Sequence, residues 1–208
     1  MENAKCCLGR AITVRPEEGH SKYLTMAQLF TGDESLQLYA KGIEILTSAR
    51  DAEEEEVKVK ELSRSLSNAL CSVAELYMTD LCDEEDAEEA CQGYIQRSID
   101  ADKSNPEALQ VKARYLLIRA KFDVSTASDE GMFLRPIRGA CMHPQEAKAT
   151  IKESLDLWLP AYQDVIENKQ GASNFDPVDV CPLLYTTRIG TSKLLIEMEM
   201  WDEATQVR

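Results

Sequence analysis

A chain of 208 residues, 44% of them hydrophobic, is long enough for one or two ordinary domains or a solenoid fragment and apolar enough to bury a sizeable core. Its 37 acidic against 23 basic residues leave a formal charge of -14. That charge argues against nucleic acid as a direct ligand, because phosphates are repelled, and makes a basic partner the natural complement.

In chain order, Ala4 to Arg15 carries a helical period. Ala11, Ile12, Val14 and Pro16 give an A-I-x-V-x-P ending, where the proline ring removes a donor and stops the helix. Ser21 to Thr31 places Leu24, Ala27 and Phe30 at helical spacing. Gly32-Asp33 breaks it, and Ser35 to Arg50 follows with Leu36, Tyr39, Ile43 and Leu46 on one face. The run Asp51-Ala-Glu-Glu-Glu-Glu-Val-Lys repels itself and reads as a solvated helix extension or linker, with contact to a basic peptide as the alternative.

The stretch from Leu70 to Leu109 organises the rest. A helix predicted over about Glu61 to Leu81 places Leu70, Val73, Ala74 and Tyr77 at the W-x2-L-G-x2-Y spacing of a tetratricopeptide (TPR) first helix. Its partner is predicted over Ala87 to Ala101, with Ala87, Cys91, Ile95, Ser98 and Ile99 as the matching stripe. Asp83-Glu-Glu-Asp stands before it, where carboxylates suit the helix dipole and the free amides. Pro106 then opens a helix bearing Leu109, Ala113 and Leu116, with Lys112 departing from the repeat pattern.

After Phe122 the period lapses, and Asp123 to Met142 reads as an irregular insertion. His143-Pro144 restarts a helix with Ala147, Ile151, Leu155 and Trp158 on one face and Pro160 near its end. Lys169 to Pro182 is a second irregular stretch. A last first helix is predicted from about Leu183 to Met200 with Ile189, Ser192, Leu195 and Met198, and Trp201-Asp-Glu-Ala204 begins its partner. The small positions Ala27, Ala74, Ala113 and Ser192 mark where two helices approach closely. The reading is therefore all-α: residues 1–208 as a single TPR-like right-handed superhelical solenoid, a piece of a longer array, with insertions at about 123–142 and 169–182.

No chemistry of catalysis is spelled out. There is no Gly-x-Gly-x-x-Gly, phosphate loop, Gly-x-Ser-x-Gly elbow or His-Glu-x-x-His. His20 and His143 lie in a turn and at a helix cap. The seven scattered cysteines include no Cys-x2-Cys pair and read as reduced, mostly buried packing residues in preference to a zinc site. No apolar run approaches the ~18 residues of a membrane helix, and residues 5–15 show a helical period instead of a signal-peptide core, so a cytoplasmic and nuclear location is expected.

What remains is a surface. The first helices of a TPR superhelix line its concave side, along which an extended peptide can lie. On the second hairpin that side would carry Asn68, Cys71, Ser72, Glu75, Met78 and Thr79, with Asp80 near the rim. On the next it would carry Glu107, Gln110, Val111, Arg114 and Leu117, and on the last Thr186, Ile189, Lys193, Ile196 and Glu197. Simple exposure to water accounts for each equally well, and Met78 is better explained by packing on the neighbouring helix.

ELYMTDLC (Glu75 to Cys82), the Glu-Glu and Ala87-Glu88 that follow, Cys91, PEALQ (Pro106 to Gln110), Arg188-Ile189 and LLIEMEMWDEA (Leu194 to Ala204) together carry a family resemblance. The chain resembles the dedicated TPR assembly chaperones of large-subunit ribosomal protein L four, over roughly Leu66 to Arg208, with the first 60 residues fitting by repeat pattern only. The insertion at 123–142 has no counterpart, and the repeats that should follow Arg208 are absent. The resemblance implies a non-enzymatic chaperone in 60S ribosome biogenesis. It would hold the basic internal loop of newly made protein L four in a concave acidic surface, keep it soluble and away from RNA, and escort it to the nucleus, reaching a nuclear import receptor through the client.

On that reading Glu75, Asp80, Glu107 and Glu197 pair with client Lys or Arg, Met78 and Gln110 meet its apolar or backbone parts, and Thr79 and Arg114 share the wall. No cofactor, metal, membrane or direct nucleic-acid contact is implied. Two alternatives stand beside it. One is a chaperone-tail adaptor, which needs Lys, Arg and Asn where this sequence mostly places acids and apolar residues. The other is a generic protein-protein interaction scaffold.

Overall fold

The computed structural model describes residues 2–127, 143–169 and 185–207. Among the described residues there are helices and no strands. They form two compact units, residues 1–108 and 109–208, whose boundary falls inside one helix.

The first unit contains α1 (Glu2–Val14), α2 (His20–Ala27), α3 (Gly32–Asp51), α4 (Glu56–Met78), α5 (Ala87–Ala101) and the start of α6 (Pro106–Ala127). Helix α2 packs on α3, α3 on α4 and α4 on α5. The spacing explains why: Leu66, Ala69, Leu70 and Val73 of α4 and Tyr39, Ile43 and Leu46 of α3 fall on facing stripes and are buried together with Ala27. Ala27 and Ala74 are fully buried. At the second of these the Cys91 Sγ of α5 comes within 3.5 Å of the Ala74 carbonyl, a close approach that a larger residue would block.

A second close approach involves a residue without a side chain. A methyl group on Gly42 would stand 2.6 Å from Leu24 Cδ2 and 3.2 Å from Tyr23 Cβ, so α2 lies directly on the backbone of α3. Gly32 opens α3 with φ of 57°, in the left-handed region that glycine adopts without strain.

The second unit contains the rest of α6, then α7 (His143–Asp156), α8 (Leu159–Lys169), α9 (Tyr185–Glu197) and α10 (Trp201–Gln206). Ala113, Ala147, Ile151, Leu155, Trp158 and Tyr162 are buried, as are Leu194, Leu195, Met198 and Val207. Glu199 ends α9 at φ 59°, and the Met200 N–H reaches back to the Leu195 carbonyl at 2.9 Å, closing the helix in a left-handed cap.

Several expected boundaries move. Helix α2 stops at Ala27, because the Leu29 and Phe30 amides close tight turns onto Met26 and Ala27. Helix α4 begins at Glu56 and ends at Met78. Helix α6 runs to Ala127, past the expected break at 123; beyond Ala127 and Lys169 the two expected insertions lie outside the described residues. Pro160 sits in the first turn of α8, where a missing N–H costs nothing. Ser192 is only half-buried, unlike the three alanines it was aligned with.

The acids before α5 make no side-chain cap bond, so their benefit there is limited to the dipole. Of the described cysteines, Cys71 and Cys91 are buried, but Cys6, Cys7 and Cys82 are exposed, against the expectation that most would be packed.

Candidate functional site

In the first unit Asn68, one of the predicted residues of α4, belongs to a buried polar relay. Asn105 is buried and donates to Ser67 Oγ at 2.8 Å and to Asn68 Oδ1 at 2.6 Å, while its own Oδ1 accepts the Glu107 N–H at 3.1 Å. Ser67 passes the chain on to the Ser98 carbonyl of α5 at 2.8 Å. One asparagine thus ties α4, α5 and the start of α6 together and fixes where Glu107 stands. Sequence reading missed it because a turn asparagine in Lys-Ser-Asn-Pro looks like a local turn former.

Arg64 adds a second tie. Its Nε donates to Asp102, and its Nη2 reaches the Ser104 carbonyl and Oγ, each at 3.0 Å. Burial pushes the Asp102 carboxyl up, but hydrogen bonds from Arg64 and Ser104 outweigh it and hold the group below its ordinary value.

Cys71, on the same helix, is buried, which removes it from the contact surface. Burial pushes its thiol up to about 12, with the charges of Glu107 and Glu75 adding to the shift, so it stays an inert thiol. The Tyr39 phenol is likewise raised, first by burial, with Ser72, Gln28 and the Glu75 charge around its hydroxyl. Glu75 and Met78 are half-buried and Thr79 and Asp80 exposed.

Two of these have local work. The Thr79 hydroxyl donates to the Glu75 carbonyl at 2.9 Å, finishing α4. Asp80 Oδ2 accepts the Gly32 N–H at 3.3 Å, placing an anion at the start of α3 and linking two turns that are 48 residues apart in sequence. The Glu run after α3 also has a local role: Glu53 accepts the amides of Glu55 and Glu54, and these bonds lower its carboxyl.

Residues 1–108 hold 23 of the 37 acids and 11 of the 23 bases, a net charge of -12; residues 109–208 hold 14 acids and 12 bases, a net charge of -2. The chain's negative charge is thus concentrated almost entirely in the first unit. Tyr77 stacks on Tyr94 at 5.8 Å, and burial first, then Tyr94 and the charges of Asp86, Glu84 and Asp33, raise its phenol.

The remaining predicted residues lie in the second unit. Gln110 and Val111 are buried, contrary to their expected exposure, because the apolar stripe of α6 is wider than the repeat spacing alone implies. Gln110 Nε2 has no hydrogen-bond partner among the described residues. Arg114 is exposed, with its Nη2 3.8 Å from where a methyl group on Gly190 of α9 would sit. Leu117 is half-buried, Ile189, Lys193, Ile196 and Glu197 are exposed, and the Thr186 side chain lies outside what is described.

No group of three or more His, Cys, Asp or Glu among the described residues could hold a metal ion. No helix among them is long and apolar enough to cross a membrane.

No protein-family model matches the chain. A protein described as a probable assembly chaperone of rpl4, from Schizosaccharomyces pombe, is 30% identical over 204 residues, covering 98% of this chain and 49% of that protein. The chain resembles rpl4 assembly chaperones over nearly its whole length. The likeness read from residues 66–208 therefore extends through the first 60 residues as well. The chain spans about half the length of this curated relative. Among solved structures, residues 1–338 of Acl4, the assembly chaperone of RpL4, match with a TM-score of 0.69 at 23% identity, over 98% of this chain and 67% of that one. The all-α hairpin fold is shared with that structure.

Proposed function

We propose that this chain is a non-enzymatic, dedicated assembly chaperone for large-subunit ribosomal protein L four in 60S biogenesis. It takes the basic internal loop of the newly made client onto an acidic surface, keeps it soluble and accompanies it from cytoplasm to nucleus. The observation that carries this reading is the concentration of charge, a net of -12 within residues 1–108. A basic loop that later binds ribosomal RNA needs anionic competition until it does, and a single-sign surface supplies it at long range. The similarity to chaperones described by that client supports the choice of partner.

Calorimetry with a synthetic peptide of the client's basic loop tests this. Binding at low salt that weakens steeply as ionic strength rises is expected, because exposed charges farther apart than about 10 Å are screened at 0.1 M. Absent binding, or affinity unchanged by salt, would overturn it. Glu75→Gln and Asp80→Asn are the informative variants. Asp80→Asn keeps an acceptor for the Gly32 amide while removing the charge, so a weaker affinity reports on the client and not on a lost helix contact.

A further inference from the structure

Arg188 on α9 is a buried cation without a counter-charge among the described residues. It is 6% exposed, its Nη1 donates to the Tyr162 hydroxyl at 2.7 Å, and its guanidinium lies 5.3 Å from the Tyr162 ring and 5.8 Å from that of Tyr185. No carboxylate among the described residues pairs with it, and its Nε–H has no acceptor. A guanidinium offers five donors and no acceptor, so a phenol satisfies only a small part of its demand. A buried charge left in this state is costly to the fold unless something else completes it. Trp158, whose ring stands 5.9 Å from that of Tyr162, holds a second buried donor without an acceptor at its Nε1.

The neighbourhood indicates what completes it. Tyr185, Ile189 and Ile196 recur on one face of α9 and are 59%, 37% and 46% exposed, an apolar stripe with Arg188 one turn from its first member. A free anion would gain nothing from that stripe, whereas a protein segment with apolar residues on either side of a carboxylate would use both. Tyr185 is the exposed member of the pair of rings beside the guanidinium, and a rotamer change at such a position is fast, on the ps–ns scale.

We infer that Arg188 is the seat for one Asp or Glu side chain of a protein partner, carried on an otherwise apolar segment that lies along the Tyr185–Ile189–Ile196 stripe. The carboxylate accepts from Arg188 Nε–H in a charge-assisted bond, and the flanking apolar residues cover the stripe. The inference does not depend on capture of a basic loop by residues 1–108.

The test uses the full 208-residue chain with two probe peptides, acetyl-SLIELS-amide and its counterpart with glutamine in place of glutamate, and sodium acetate alone. The glutamate peptide is expected to bind about ten-fold more tightly than the glutamine peptide and to shift the Arg188 Nε–H resonance in nitrogen-15 spectra. Arg188→Lys, which keeps the charge but removes Nε–H, should weaken that preference. Equal binding of the two peptides, or an unmoved Nε–H, overturns the inference. The same shift produced by acetate alone at equal concentration also overturns it, as an adventitious ion only. The peptide pair on the unaltered chain decides the matter even where the lysine variant fails to fold.

Discussion

The two units differ in how completely they satisfy their buried polar groups. In residues 1–108 the buried side chains form closed relays: Ser35 donates to the Ala27 carbonyl at 2.9 Å, Ser67 to Ser98, and Asn105 serves three partners. In residues 109–208 lie Gln110 Nε2, Trp158 Nε1 and Arg188 Nε, which are the buried side-chain atoms without a partner among the described residues. All three are donors. The first unit keeps its unmet electrostatics outside, as a net charge of -12; the second, with a net charge of -2, keeps them inside. Charge on a solvated face can hold a partner at long range and release it on a change of salt, whereas a buried unpaired donor acts only at contact and selects geometry.

Substitutions can break or sharpen this contrast. The largest effect is expected from Leu46→Ala in the core of the first unit, where the residue is fully buried: a loss of about 3 kcal/mol, read by denaturant unfolding. Asn105→Ala should follow at about 2 kcal/mol, because Ser67, Asn68 and the Glu107 amide lose a buried partner together; hydrogen exchange should show α4 and α5 loosening as well as the start of α6. Gly42→Ala is expected to cost about 1 kcal/mol. The Leu24 methyl can move aside, but Tyr23 Cβ at 3.2 Å cannot, and a thermal melt would report the loss.

Asp102 supplies a smaller, pH-dependent effect. Its carboxyl is lower in the folded state than in the unfolded one, so its contribution is present above the unfolded value, about 4, and is lost as pH falls through the folded value. The unaltered chain should therefore lose its advantage over Asp102→Asn when unfolding is compared at pH 7 and pH 3. The smallest effect is expected at Arg188→Met, near zero or slightly stabilising, because an apolar chain of similar length replaces an uncompensated buried charge. A loss of 3 kcal/mol or more at Arg188 in thermal unfolding would place it among the structural relays and erase the contrast between the units.

Much of the fold was legible in the chain. Helix α5 falls on its predicted residues because Ala87, Cys91, Ile95 and Ser98 follow one period between two turns. The stripe Ala147, Ile151, Leu155 and Trp158 is buried to the last member. The start and stop of α4 and the continuation of α6 to Ala127 were not legible, since hydrogen bonds, and not apolar spacing, decide where a helix frays.

The candidate site was less legible. The spacing that assigns a residue to a helix face is coarse by about one residue, so Cys71, Gln110 and Val111 were assigned to a contact surface yet are buried against neighbouring elements. The sequence places Asp80 at the rim of an expected client-binding face, and the structure gives it a partner in Gly32, a residue no local pattern connects to it.

The amino-acid sequence by itself determined the helices, their hairpin pairing and the excess of acid, because periodicity and charge are properties of neighbouring residues along the chain. Only the tertiary structure decided that Asn105 is a hub, that Gly42 is a contact point and that Arg188 is a buried cation facing two tyrosine rings. Each of those depends on which distant side chain arrives within a few ångströms, and one-dimensional spacing carries no information about that.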